Sequence, residues 1–151
     1  MGKVEHANQG TIFSTFEEVA ERRKNHTAII YLGTKYSYRK LKNFSERFSA
    51  ALRAIGVRPG EKIIIYLPNT VQWVVSWFGI QKAGAIGVPI SPIYTPADLR
   101  YIANDSGAET IICADTNFGY VKRVMPETDL KFCRRPESKS FTEFWPTNAH
   151  V

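Results

Sequence analysis

The chain has little of what small secreted, metal-bound or membrane-spanning proteins are built from. Of its 151 residues two are cysteine, Cys113 and Cys133. They form no CxxC pair, which disfavours a zinc site and thioredoxin-type chemistry, and nothing else calls for a disulfide framework. A reducing, cytoplasmic setting is the expectation. The three histidines, His6, His26 and His150, stand far apart in the sequence. No apolar run approaches the roughly 18 residues a transmembrane helix needs. Met1 to Gly10 is polar and lacks the apolar core of a signal peptide. There is no GxGxxG, no GxxxxGK[ST], no HExxH and no GxSxG, so nucleotide-loop, zinc-protease and serine-hydrolase signatures are missing.

What is present is ordinary globular material: 44% hydrophobic and 23% charged residues, with a net charge of +6. A chain of this length is one domain by the usual prior. The positive charge admits an anionic partner such as a nucleotide, a membrane surface or nucleic acid. No aromatic–basic motif supports the last. The blander reading is a set of solvated helix faces, because no basic run exceeds two or three residues.

The most informative stretch runs from Glu61 to Tyr94. Ile63 to Leu67 is an unbroken apolar run, as expected of a strand buried on both faces. Pro68 ends it, and Asn69 or Thr70 can cap a helix by accepting a backbone N–H bond. Val71 to Lys82 is apolar nearly all round, which predicts a helix buried on most sides. Gly84 can end it, and Ala85 to Ile90 reads as a second strand. Strand, helix and strand of this length imply a right-handed crossover between parallel strands.

Before this unit, Ser14 or Thr15 is read as the cap of a helix reaching about Asn25, with Glu17 or Glu18 as capping-box partner. Thr27 to Leu32 and Lys35 to Ser37 form a hairpin around Gly33-Thr34. Ser37 caps a helix over 38–55, whose apolar stripe is Leu41, Phe44, Phe48, Ala51, Leu52 and Ile55. After the unit, Thr95 and Pro96 open a helix with Leu99, Tyr101 and Ile102 facing inward, closed by Gly107. Glu109 to Ala114 is a third parallel strand, and 115–125 is a loop with a short helix. The expected fold is α/β: a mainly parallel sheet with helices on both faces and a small N-terminal β-hairpin.

Leu130 to Phe132 begins like another strand, and then the pattern breaks. Residues 1–10 are expected to be flexible, 11–132 to form the α/β unit, and 133–151 to be an atypical tail. Two readings of the tail stand side by side: a frameshift or truncation near residue 132, or a divergent helix around Phe141 to Trp145.

Gln81 to Pro92, read as QKAGAIGVPISP, resembles the "KAG-small-x-x-VP-[IL]-x-P" segment of AMP-forming acyl-CoA synthetases. Tyr36 to Leu41, read as YSYRKL, is similar to that family's "[LY]-[ST]-Y-x-x-L" segment, in the same order and at about the same spacing. The resemblance covers roughly residues 10 to 132 and the first part of a longer protein, most like the medium- to long-chain fatty acyl branch. It implies a ligase that joins a carboxylate to AMP, expels pyrophosphate and passes the acyl group to CoA, with ATP, magnesium and CoA as ligands.

That chemistry requires a Gly/Ser/Thr loop to cradle the triphosphate, carboxylates for the ribose, and a lysine for the developing charge. The family's "TSGTTGxPKG" loop, its aromatic-Gly-x-Thr-Glu segment, and its later Asp and Lys do not occur in this sequence. No residue is therefore read as catalytic, and the chain alone is expected to be inactive and to hold no cofactor. It would be the N-terminal part of the ligase or half of a split enzyme completed by a second chain. The alternative is a stand-alone nucleotide or acyl-CoA binding module. A homodimer is also open, since a missing remainder would leave apolar surface exposed.

By position in the family, Lys122 and Arg123 are the candidates for meeting CoA phosphates; an exposed basic helix end is the alternative. Trp73, Trp77 and Phe78 can line an acyl tunnel or simply form core. The Ser91 to Tyr94 loop leaves the carboxyl end of a parallel strand, where open sheets place ligands. Asp98 and Asp105, seven apart on one helix, are a weak carboxylate pair against an ordinary solvated face.

Overall fold

A run of isoleucines sits at the centre of the molecule because four strands and five helices leave it no route to water. The computed structural model describes residues 10–132. Residues 1–9 and 133–151 lie outside them. So do the expectations about a flexible N-terminus, the tail, Cys133, His6 and His150.

Helix α1 spans Ile12–Arg22, strands β1 and β2 span Thr27–Tyr31 and Thr34–Ser37, and α2 spans Tyr38–Ala54. Then follow β3 (Lys62–Tyr66), α3 (Val71–Lys82), β4 (Ile86–Pro89), α4 (Pro96–Ser106), β5 (Thr110–Cys113), α5 (Phe118–Val124) and β6 (Lys131–Phe132). Strands β1 and β2 form the antiparallel hairpin. The others form one parallel sheet in the order β4-β3-β5-β6.

Alternation along β3 splits the core in two. Ile63, Ile65 and Leu67 pack with residues of α1, α2 and α3. Ile64 and Tyr66 pack with residues of α4 and α5. Both faces of β3 are thus covered, which is why its sequence is a continuous apolar run rather than an alternating one. β4 is an edge. Ile86 and Ile90 donate their N–H groups to Glu61 and Ile65 carbonyls, at 2.8 and 3.1 Å. Pro89 lies between them in register on the free side, where its missing N–H costs no ladder bond.

Four helices begin on a hydroxyl. Thr11, Ser37, Thr70 and Thr95 accept from Ser14, Lys40, Trp73 and Asp98 amides, satisfying groups the helix cannot. Each cap is worth about 1 kcal/mol. Three of the caps agree with the sequence reading. The first does not: α1 starts at Thr11 rather than at Ser14 or Thr15 and ends at Arg22, not Asn25. The earlier start brings Phe13 into the helix and onto its buried face, where its ring lies 6.3 Å from that of Phe78. Glu17 then falls outside the first turn and pairs with Lys82 instead.

Three further expectations need correction. The hairpin turn is Leu32-Gly33, one residue earlier than read, with both residues at positive φ. Tyr101 points to solvent at 69% exposure, while Leu99 and Ala103 face the core. Leu99 and Ala103 are one helical turn apart, and a residue two positions from Leu99 projects from the opposite side. Ile55 is also exposed, because α2 ends at Ala54.

The tightest packing joins α2 to α3. A Cβ built on Gly79 would stand 2.6 Å from Phe48 Cδ1 and 3.0 Å from the Ser45 carbonyl oxygen. Ser45, Ser49 and Ser76 are fully buried on the same two helices. Small side chains there let the helices approach closely, and Ser45 Oγ satisfies itself on the Leu41 carbonyl at 3.0 Å.

Candidate functional site

Parallel sheets offer ligands a crevice at the carboxyl ends of the strands, where adjacent connections leave for opposite faces. Here that place lies between β3 and β5. β3 runs into α3 on one face, and β5 runs through a short 3-10 turn, Asp115–Asn117, into α5 on the other. The loop from Ser91 to Thr95, leaving β4, lies against this end of the sheet.

Three interactions fix the loop. Tyr66, the last residue of β3, donates its hydroxyl to the Tyr94 carbonyl. Asn117 Nδ2 donates to the Pro92 carbonyl at 3.0 Å. Asn117 also hydrogen-bonds the Tyr66 hydroxyl. Burial holds the Tyr66 phenol above its ordinary range, with the Asn117 bond acting against the shift. It therefore stays protonated at neutral pH and can donate. The loop then turns into α4 through a capping box. Asp98 accepts from the Thr95 amide at 2.9 Å and from its hydroxyl at 2.7 Å, and both bonds hold the Asp98 carboxyl below its usual range.

The side chains this frame presents are apolar and aromatic. Ile93 is 85% exposed at the loop apex, and Tyr94, Phe118 and Tyr120 are partly exposed. Lys122 and Arg123 follow on the last turn of α5, both exposed. Lys122 Nζ lies 5.6 Å from the centroid of the Phe118 ring. Among the described residues neither cation has an ion-pair partner, so both are chemically able to receive an anion.

The other candidates are used in packing or capping. Trp73 stacks on Trp77 with centroids 5.6 Å apart, and Phe78 stacks on Phe16 at 4.0 Å. Asp98 is committed to Thr95. Asp105 lies on the exposed side of α4, in a surface groove with Arg100, Tyr101 and Asn104. His26 is exposed in the turn between α1 and β1. The Cys113 thiol is pushed up to about 11 by burial, reinforced by the Asp115 charge, and is inert at neutral pH. Among the described residues no three His, Cys, Asp or Glu side chains gather as a metal site would require.

A groove of ≈ 390 Å³ opens at the opposite, amino end of the sheet. Three of its four charged lining residues are engaged within the groove: Glu61 accepts from Thr110 Oγ1 at 2.8 Å, and Lys131 pairs with Glu109 at 2.8 Å, while Arg58 also lines it. The Tyr66–Asn117 clamp was not visible in sequence. The one available signal was a tyrosine closing an otherwise aliphatic strand.

Comparison with known proteins agrees with this placement of elements. The family described as AMP-binding enzyme matches residues 16–147. A long-chain-fatty-acid–CoA ligase of Salmonella typhimurium is 34% identical over 123 residues, covering 80% of this chain and 22% of the relative. The chain thus spans about a fifth of the length of the curated relatives it matches. The crystal structure of a benzoate CoA ligase from Burkholderia xenovorans superposes with a TM-score of 0.74 at 28% identity, over 80% of this chain and 24% of that one. A long-chain-fatty-acid-CoA ligase from Archaeoglobus fulgidus shares the fold, with a TM-score of 0.75 at 23% identity over 80% and 26% of the two chains.

Proposed function

Since this chain belongs to the AMP-binding enzyme family and corresponds to the N-terminal part of AMP-forming acyl-CoA ligases, we propose that it is the scaffold portion of a fatty acyl-CoA ligase. The longer protein would convert a fatty acid, ATP and CoA to acyl-CoA, AMP and pyrophosphate, with magnesium accompanying the nucleotide, in the cytoplasm. The observation that carries this reading is the family match across residues 16–147, on a chain whose sequence contains none of the phosphate-cradling motifs. The chain by itself is then inactive and holds no cofactor. Its contribution is a rigid sheet whose carboxyl end presents the clamped 91–95 loop. A second chain or a continuation of this one would supply the reactive groups; a homodimer is the other assembly to look for.

Lys122 and Arg123 are the residues proposed to meet CoA. Two exposed cations without ion-pair partners suit a phosphate, and charge-assisted bonds to it would be stronger than neutral ones. They would bind and orient the nucleotide end of CoA, with no part in bond making. The test is direct. The purified chain should release no AMP or pyrophosphate from ATP in the presence of fatty acid, magnesium and CoA. Turnover above a heat-treated control would overturn the reading. CoA binding without turnover, lost in Lys122→Ala/Arg123→Ala, would support the assignment of those two residues and favour a binding module as this chain's own role.

A further inference from the structure

The last described strand leads the chain toward the end of the sheet where the 91–95 loop lies. β6 runs parallel to β5, with Phe132 in register with Ile111. β5 continues only to Cys113, about 7 Å further along. The backbone leaving Phe132 is therefore aimed at the carboxyl end of the sheet. Ile93, Tyr94, Phe118 and Tyr120 are exposed there, and the frame beneath joins them into one surface. The Asn117 amide on the Pro92 carbonyl brings the start of α5 against the loop. Tyr66 holds the Tyr94 carbonyl, and Tyr120 lies close enough to Tyr66 for its charge to act on that phenol.

The sequence beyond β6 carries a matching set of side chains. Its aromatic residues fall in one stretch, Phe141, Phe144 and Trp145. Read as a helical turn, their spacing of three and four puts them on one face. Nine residue steps separate Phe132 from Phe141 and reach about 30 Å when extended. The distance to cover is far less: the rest of β5 and the width of one strand, about 5 Å. Charge agrees with this placement. Glu143 stands among the three aromatics, while Lys122 and Arg123, beside Phe118, have no ion-pair partner among the described residues. Arg134 and Arg135 come first after β6, and the exposed Asp115 at the end of β5 forms no ion pair among the described residues.

We propose that residues 141–145 dock on this surface of their own chain and cover the carboxyl end of the sheet. Phe141, Phe144 and Trp145 meet Ile93, Tyr94 and Phe118, and Glu143 faces Lys122 and Arg123. A second copy would offer the same aromatics, but the tether decides between them. Linkage over nine residues gives an effective concentration on the order of mM, well above that of a free copy in dilute solution. The inference goes beyond the ligase reading and stands without it, because docking is measured with no nucleotide or CoA present.

The test is paramagnetic broadening in the full chain, with a nitroxide on Thr142→Cys in a Cys133→Ser background; the buried Cys113 thiol does not compete for the label. Amide signals of residues 93–95 and 118–122 should broaden and recover when the nitroxide is reduced, while those of residues 30–35 in the hairpin should not change. The broadening should be lost in Phe141→Ser/Phe144→Ser/Trp145→Ser. It should also weaken in Ile93→Ser, whose side chain is too exposed to be needed for folding. Lys122→Glu/Arg123→Glu should weaken it, and adding Glu143→Lys should restore part of the loss. Mixing nitroxide-bearing chain with isotope-labelled chain that lacks the nitroxide should give no broadening. The proposal is overturned by uniform or absent broadening in the single chain, or by broadening that survives the triple serine variant. It is equally overturned by broadening in the mixture, which would assign the surface to a second copy.

Discussion

The ammonium of Lys82 on α3 lies 2.8 Å from the carboxylate of Glu17 on α1, 65 residues earlier in the chain. The same ammonium stands 3.6 Å from Glu46 on α2 and 4.7 Å from the centroid of the Phe13 ring. Beyond Glu46 the charges continue through Lys42 and Glu21 to Lys24. These side chains are partly or largely exposed, so solvent screening leaves each pair little net stability. Their effect is positional: three helices that share an apolar cluster are also keyed to one another along its rim.

This chain of charges predicts an acid response. Glu21, bonded to Lys24 and Lys42, has its carboxyl lowered to about 2 from the ordinary 4.5. A depressed carboxyl adds stability that is present above the unfolded value and is lost as pH falls from about 4.5 toward 2. Thermal midpoints should therefore fall across that window, and Glu21→Gln should flatten the fall. An unchanged profile in the variant would show that other carboxylates govern it.

Gly79→Ala should destabilise the fold, although alanine is ordinarily the better helix former. The added methyl would meet the Phe48 ring at a distance real side chains do not adopt, and would crowd the Ser45 carbonyl oxygen. Overpacking of this kind costs about 1–3 kcal/mol. Urea titration should show a lower midpoint at unchanged slope.

Tyr66→Phe removes the hydroxyl that holds the Tyr94 carbonyl and keeps the ring. The expected loss is about 1 kcal/mol. Hydrogen exchange should quicken at the amides of residues 93–95 and little elsewhere. Asn117→Ala should do the same through Pro92, and the two changes together should be less than additive, because both residues hold one loop.

Cys113 should alkylate slowly. With burial pushing its thiol up to about 11 from the ordinary 9.0, its thiolate at pH 8 is about a hundred-fold scarcer than that of an unperturbed cysteine. In a Cys133→Ser background, reaction with a maleimide should be slow in buffer and fast in urea. Equal rates in both would mean the thiol is not shielded as described.

Much of the architecture was legible because its signals are local. The run Ile63–Ile65 can only be a strand covered on both faces, and hydroxyls at 37, 70 and 95 mark helix starts wherever those helices later pack. The errors fell where two local choices were nearly equal. Thr11 and Ser14 are both acceptable caps, and burial of Phe13 against Phe78 decided between them. Leu32 reads as strand by composition, but the cross-strand pairing of Tyr31 with Thr34 puts it in the turn. Tyr101 looks like core until Leu99 and Ala103 occupy the inner face.

The candidate site was less legible than the fold. The loop after β4 could be placed at the carboxyl end of the sheet from its position in a strand–helix–strand unit. Its fastening could not, because Tyr66, Tyr94 and Asn117 come from three separate segments and each looks unremarkable alone. The sequence by itself determined the order and kind of the elements, since caps, breakers and periodicity act over a few residues. Only the tertiary structure decided which charges share a surface, how closely α2 and α3 approach, and which groups clamp the 91–95 loop. Those depend on distances between residues tens of positions apart, which arise only once the sheet has brought the segments together.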